Sequence, residues 1–165
     1  MANASYLEIA EFEGNCGDVE FETMSRVYDF RHEYEYNFDS QQGIKTGNLL
    51  IQPTVARIQF DQTWPELLKA MRKSTPLAIN VYHTDTDDSG AKVISHQDEY
   101  VTCILTAVKK VMPNTLDPDN AARVMEIELK WSCAEYTAKV NSFTAANGVS
   151  TSAVEDVLMA NDPTA

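Results

Sequence analysis

Positive charge is scarce in this chain. Its 165 residues hold 13 Lys and Arg against 25 Asp and Glu, a net charge of −12. Nucleic-acid binding rests on clustered bases that neutralise phosphates, so a general nucleic-acid binder is excluded, and attraction to an anionic membrane surface is disfavoured on the same ground. Cysteine is scarce too. Cys16, Cys103 and Cys133 are widely spaced and form no CxxC pair, which argues against zinc and thioredoxin-type chemistry. Cys103 and Cys133 lie inside apolar strand patterns, where a reduced Cys acts as a small hydrophobe. No apolar run approaches the ~18–20 residues of a membrane span. Met1 to Glu11 lacks the basic segment and the apolar stretch of ~7–15 residues that mark a secretory signal. No GxSxG, phosphate-binding loop or GxGxxG is present. No catalytic residue, metal or cofactor is therefore assigned, and an enzyme is not expected.

What is present is acid, unevenly spread. Residues 1–40 hold ten acids and two bases, and the other 125 hold 15 acids and 11 bases. Within that acidic quarter lies the clearest pattern of the chain. From Val27 to Asp39, Tyr28, Phe30, His32, Tyr34, Tyr36 and Phe38 share one parity, and Asp29, Arg31, Glu33, Glu35, Asn37 and Asp39 share the other. Period-two alternation is the mark of a half-buried strand. Its length, well above the usual ~5–6 residues, predicts a barrel strand or a protruding ribbon. Val124 to Cys133 repeats the signal, with Met125, Ile127, Leu129, Trp131 and Cys133 on one face. Tyr100–Met112 reads as a third long strand. Tyr6–Phe12, Leu49–Phe60 and Leu77–Thr84 read as shorter ones. Pro53, which lacks an amide donor, predicts a bulge or an edge in the Leu49–Phe60 strand.

One helix is marked. Thr63-Trp-Pro-Glu66 has the spacing of a capping box. Trp64, Leu67, Leu68 and Met71 form an i, i+3, i+4, i+7 stripe predicted to cover the rest of the fold. Pro76 stops it. Gly14–Glu22 is an acidic loop, and Ser40–Gly47, Asp85–Gly90 and Pro113–Asn120 are polar connections. Residues 1–140 read as one barrel domain and 141–165 as a tail, with a cap at Ser152-x-x-Glu155 and a short helix around 152–160.

The remaining constellations carry little chemistry. Asp85-x-Asp87-x-Ser89-Gly90 begins like a calcium loop, but the twelfth position, which needs a bidentate acid, is His96. A turn between strands is the better reading. His83, His96, Asp98 and Glu99 border one hairpin without any metal-binding spacing and read as solvated loop residues. His32, on the aromatic face, reads as a hydrogen-bonded core or interface residue.

The order of elements resembles the Hcp family, the tube protein of type VI secretion, which is related to phage tail tubes. Tyr6-Leu-Glu-Ile-Ala-Glu-Phe-Glu-Gly14 is similar to that family's first strand and the Gly before its extended loop. The long strand through Val27–Phe38 follows. Ala56–Gln62 resembles the strand entering the single family helix, matched here by Thr63–Lys73. Pro76–His83, Glu99–Val111 and Arg123–Tyr136 complete the likeness over about residues 6–140. Lys73-Ser-Thr-Pro76 follows the helix here, where the family has it before. The tryptophan-rich second strand is replaced by Tyr28, Phe30, Tyr34 and Tyr36.

The resemblance implies a mainly β fold, a two-sheet β-barrel with one α-helix packed against it. It implies a homo-hexameric ring, rings stacked into a hollow tube, and sheath, spike, baseplate and effector cargo as partners. It implies assembly in the cytoplasm and export without a cleaved signal. Gly14, Asn15, Cys16, Gly17, Asp18, Val19, Glu20, Phe21 and Glu22 would form the ring-stacking loop. Tyr28, Phe30, His32, Glu33, Tyr34, Glu35 and Tyr36 would belong to the tube wall. No membrane partner is implied, and nucleic acid only if a phage tube passes DNA. A phage tail-tube protein and a monomeric β-barrel carrier of a small molecule are the alternatives.

Overall fold

A computed structural model describes residues 4–86, 89–114, 116–120, 124–140, 142–144, 148–150 and 156–159. The strands are β1 (Ser5–Ile9), β2 (Ser25–Arg31), β3 (Tyr34–Asp39), β4 (Ile44–Ile51) and β5 (Thr54–Gln59), followed after helix α1 (Trp64–Lys73) by β6 (Leu77–Thr86), β7 (Lys92–Val111), β8 (Glu126–Ser132), β9 (Glu135–Val140), β10 (Ser142–Thr144), β11 (Gly148–Ser150) and β12 (Asp156–Met159). All described pairings are antiparallel.

The barrel closes through six strands in the order β7-β6-β1-β2-β5-β8, because β8 pairs with β5 on one side and with β7 on the other. Closure leaves these strands no free edge along the ring, which answers the aggregation hazard of long strands. β7 makes it possible by serving two walls. Its first half pairs with β6 and β9, and Ile104–Val111 pairs with β8. The strand turns at Thr102, whose φ is +54°. β12 adds outside β9.

Alternation builds the core. Leu7 and Ile9 of β1, Ala56 and Ile58 of β5, Leu77, Ile79 and Val81 of β6, and Ile127, Leu129 and Trp131 of β8 point inward and are buried. The expectation for Val124–Cys133 holds for Ile127, Leu129, Trp131 and Cys133, while Met125 lies before β8 and is half-buried, and Glu126 of the other parity is buried. All three cysteines are buried and free, and burial pushes the Cys103 thiol up to about 12.

The stretch 27–39 is not one strand. It divides into β2 and β3, with His32 and Glu33 between them. A bulge lies between Val27 and Asp29, where β2 shifts register against β5. An extra residue reverses the inward parity. Tyr28 is therefore turned out, 46% exposed, while Phe30 packs against the core. β3 leaves the barrel and pairs only with β4 in a separate two-stranded ribbon. The predicted strand Leu49–Phe60 divides likewise at Gln52-Pro53. Much of the predicted connection Ser40–Gly47 is strand, since β4 begins at Ile44.

The helix forms where expected, but its cap and its buried face differ. Thr63 makes no side-chain capping bond. Its hydroxyl and its amide both donate to Asp61 Oδ1, the amide at 3.0 Å. A carboxylate two residues earlier offers a charged acceptor; it takes the Thr63 amide that Glu66 would have accepted in a capping box, and it ties down the hydroxyl. Leu67 and Ala70 are the buried residues of α1. Trp64 is half-buried against Phe60 at 6.0 Å between ring centroids, while Leu68 and Met71 are 42% and 37% exposed. The small Ala70 lets the helix seat one residue around from the predicted stripe. Ser74 ends α1 in a left-handed conformation, φ +51°, and its amide bonds Met71 O.

In the tail, Asp156–Met159 is a strand on β9 where a short helix was expected. Residues 152–155 and 160 lie outside the described residues. A helix this short does not pay for its own nucleation, whereas the β9 edge offers a ready ladder.

Candidate functional site

Two features project from or lie over the barrel, and a third closes one of its ends. The loop from Gly14 to Glu22 folds back along the outer wall. Tyr6 points away from the barrel core because it alternates with Leu7 and Ser5. Phe21 covers it, ring on ring at 4.1 Å and 4°. Cys16 completes this satellite cluster, with Tyr6 and Phe21 all buried. Lys92 at the start of β7 bonds the Tyr6 hydroxyl and, at 3.2 Å, Asp18, while the Tyr6 hydroxyl also donates to Asp18. The Tyr6 and Lys92 hydrogen bonds hold the Asp18 carboxyl below its ordinary value. Gly14 sits where a Cβ would lie 2.5 Å from the Met24 carbonyl, so only glycine fits the loop's entry. Asn15, Gly17, Glu20 and Glu22 are exposed, and Val19 stands out at 84% exposure.

The second feature is the β3–β4 ribbon. Its root lies at the end of the barrel where Arg31 pairs with Val55. The Gln52 amide donates to Glu33 O at 3.2 Å across that root. Glu33, Glu35 and Tyr36 are exposed.

The third feature lies inside that same end. Ser5, His83 and Asp98 continue the inward parity of Leu7, Val81 and Tyr100, and a polar network replaces the aliphatic core there. His83 Nε2 donates to Asp98 Oδ2 at 2.8 Å, and Ser5 Oγ lies 2.9 Å from His83 Nδ1. The carboxylate fixes Nε2 as donor, which leaves Nδ1 facing the Ser5 hydroxyl. Tyr136 donates to Asp98 Oδ1 at 2.5 Å. Burial acts to raise the Asp98 carboxyl, but the His83 and Tyr136 hydrogen bonds outweigh it and hold it below its ordinary value. His96 stacks on His83 at 4.1 Å and 17°. His32 Nδ1 is 2.6 Å from the Tyr100 hydroxyl, and its ring packs against Tyr34 and Tyr136 at 4.6 and 4.3 Å. Burial lowers His32, partly opposed by the Asp98 charge, and burial and the His83 charge lower His96.

Of the residues singled out in the sequence, His32, Tyr34 and Phe30 meet at this end, with Phe30 5.3 Å from His83 edge-on. Glu33, Glu35 and Tyr36 belong to the root and ribbon, and Gly14–Glu22 lies on the wall. His83, His96 and Asp98 are strand residues, cross-paired between β6 and β7, and not the solvated loop read from the sequence. The signal was available: His83 has the parity of Leu77, Ile79 and Val81. Among the described residues no cluster of His, Cys, Asp and Glu fits a metal ion.

No protein-family model and no curated protein matches the sequence. Solved structures do. An Hcp protein superposes with a TM-score of 0.79 at 18% identity, over 96% of this chain and 98% of that one. The chain has the Hcp fold. Hcp1 of E. coli EAEC 042, in a double-mutant form, matches at a TM-score of 0.73 and 18% identity over 92% and 99% of the two chains. The secreted protein Hcp3 of Pseudomonas aeruginosa matches at 0.66 and 14%, over 96% and 98%. Near end-to-end coverage means that the helix, the loop and the ribbon all fall within the Hcp-like span. At this identity what is shared is architecture.

Proposed function

We propose that the chain is a structural inner-tube protein. Six copies form a ring, and rings stack into the hollow tube of a contractile secretion or injection machine of the type VI kind. The single observation that carries this reading is the Hcp fold, matched over 96% of the chain. Sheath, spike and baseplate proteins are then the partners, with effector cargo in the lumen or at the tip. Assembly takes place in the cytoplasm and the machine exports the protein. The role is mechanical and not enzymatic. No helix among the described residues is long and apolar enough to cross a membrane. A phage tail tube is the second reading, since the family likeness extends to those tubes.

A monomeric small-molecule carrier is the less favoured reading, because the barrel interior is occupied by fully buried Trp131, Tyr100, Ile127, Leu129 and Ile58. A cleft of about 310 Å³ lies instead between α1 and the β1–β2 connection, lined in part by Phe12, Lys69 and Lys73.

Two elements compete for the ring-to-ring contact in this proposal. Gly14–Glu22 is the first, on family likeness, with Val19 at its exposed tip. The ribbon is the second, favoured by its separation from the eight-stranded sheet. Native mass spectrometry and negative-stain micrographs test the proposal: hexamers and stacked rings support it, and a stable monomer at high concentration overturns it. Replacing residues 14–22 with a Gly-Ser linker decides between the two elements. Rings that no longer stack assign the contact to the loop, and long tubes assign it elsewhere.

A further inference from the structure

The chain has three histidines, and all three meet at the ribbon end of the barrel. His83 and His96 face each other across β6 and β7 in stacked register. His32 occupies the two-residue break between β2 and β3, where the chain leaves the barrel for the ribbon. Asp98 is the carboxylate they share, buried at 8% exposure and already engaged on both oxygens.

We propose that this cluster is an acid-operated latch that holds the root of the β3–β4 ribbon to the barrel. Burial disfavours the charged forms of His32 and His96, and His32 is fixed by Tyr100 of β7 and by the rings of Tyr34 and Tyr136 from β3 and β9. The charge count drives the change. One carboxylate balances one imidazolium. Three imidazoliums around Asp98 leave two uncompensated, and the stacked His83 and His96 rings place two of the charges against each other.

Among the described residues, the groups in contact with the cluster supply no second anion. They are Ser5 from β1, Phe30 from β2, Tyr34 from β3, Thr54 from β5, Ser95, Asp98 and Tyr100 from β7, Trp131 from β8 and Tyr136 from β9. The Lys139–Glu99 ion pair, 2.9 Å, belongs to the opposite parity of β7 and is internally balanced. His32 is the group whose protonation acts on the ribbon directly, since a charge in its half-buried site is relieved by moving toward water. The depressed affinity of His32 and His96 for protons places the release on the acid side of the ordinary histidine value of 6.5.

The latch does not depend on what the chain assembles into. Hydrogen–deuterium exchange on the intact protein tests it, at pH 7.5 and pH 5 after correction for intrinsic exchange rates. The amides of 34–51 are expected to lose protection by about tenfold or more, while those of 127–131 stay within about twofold. His32→Phe keeps the ring packing without the titrating nitrogen and is expected to abolish the acid-dependent loss in the ribbon. Ribbon protection that is equal at the two pH values in the wild type overturns the proposal, as does a His32→Phe protein that retains the full acid-dependent loss. Should His32→Phe fail to fold, imidazole proton shifts of the wild-type protein across the same range decide. Ribbon amide shifts that follow the His32 titration support the latch, and ribbon shifts that ignore it overturn it.

Discussion

At the helix end of the barrel, Ile9, Leu67, Ala70, Leu77 and Ile79 pack the interior, mainly with hydrocarbon. At the ribbon end, Ser5, His32, His83, Asp98, Tyr100 and Tyr136 close it with hydrogen bonds and rings. Both closures exclude water, but they do so by different means. Apolar packing is indifferent to pH and tolerant of small displacements. A hydrogen-bonded plug is demanding: each buried donor and acceptor needs its partner, and each titratable member ties the local structure to proton activity. One barrel thus has a passive end and a responsive end, and the ribbon is rooted at the responsive one.

The comparison is broken most strongly at Leu67. Leu67→Ala empties a fully buried site and is expected to cost about 2–5 kcal/mol, read as a lower urea midpoint. The loss should be the same at pH 7.5 and pH 5, since the three histidines lie at the other end. A loss that grows with acid would mean the two ends are coupled.

Asp98→Asn comes next. The amide presents one acceptor and one donor group where His83 and Tyr136 both donate, so one of them loses its partner, at a cost of about 1–3 kcal/mol at pH 7.5. The sign of the pH dependence follows from the groups involved. His32 and His96 have folded values below 6.5, so the unfolded chain takes up protons first and stability falls as pH drops below 6.5. Asp98 has a folded value below 3.8, so its contribution is kept above 3.8 and lost beneath it. Urea midpoints of the wild type should therefore fall from pH 7 toward pH 5, with a further fall below pH 3.8 that is smaller in Asp98→Asn, where Asp18 still contributes. A flat wild-type profile between pH 7 and 5 would remove the contrast between the ends.

The smallest effect returns to the helix end. Ser74 holds a left-handed conformation that glycine adopts without strain. Ser74→Gly is expected to raise stability by about 0.5–1 kcal/mol at any pH, measurable as a rise in Tm.

The sequence made the barrel walls legible because alternation reports burial directly. Ile127, Leu129 and Trp131 could be placed from parity alone, as could Leu7 and Val81. It hid the places where a single residue changes the count. The bulge at Tyr28 and the break at His32 leave the aromatic-charged pattern of 27–39 intact on paper while dividing it between barrel and ribbon. The helix position was written in Trp64, Leu67 and Pro76, but Ala70 is too small to register as an anchor and Asp61 lies outside the capping spacing. The polar end was least visible. Ser5, His83, Asp98 and Tyr136 come from four strands, and no local window brings them together.

β8 meets β5 and β7 at once, and it lies late in the chain. While the chain is being synthesised, β1, β2, β5, β6 and β7 can pair as soon as they emerge, yet the ring cannot shut until Glu126–Ser132 has left the ribosome. Until then the edges of β5 and β7 that β8 pairs with are open, Ile58 and Leu105 among them. Each nascent chain passes through an unclosed sheet that lacks one strand, and that sheet is open to invasion by another copy. The time available to complete the fold is set by translation of the connection between β7 and β8, so lengthening or slowing that stretch is expected to decide the yield of soluble protein.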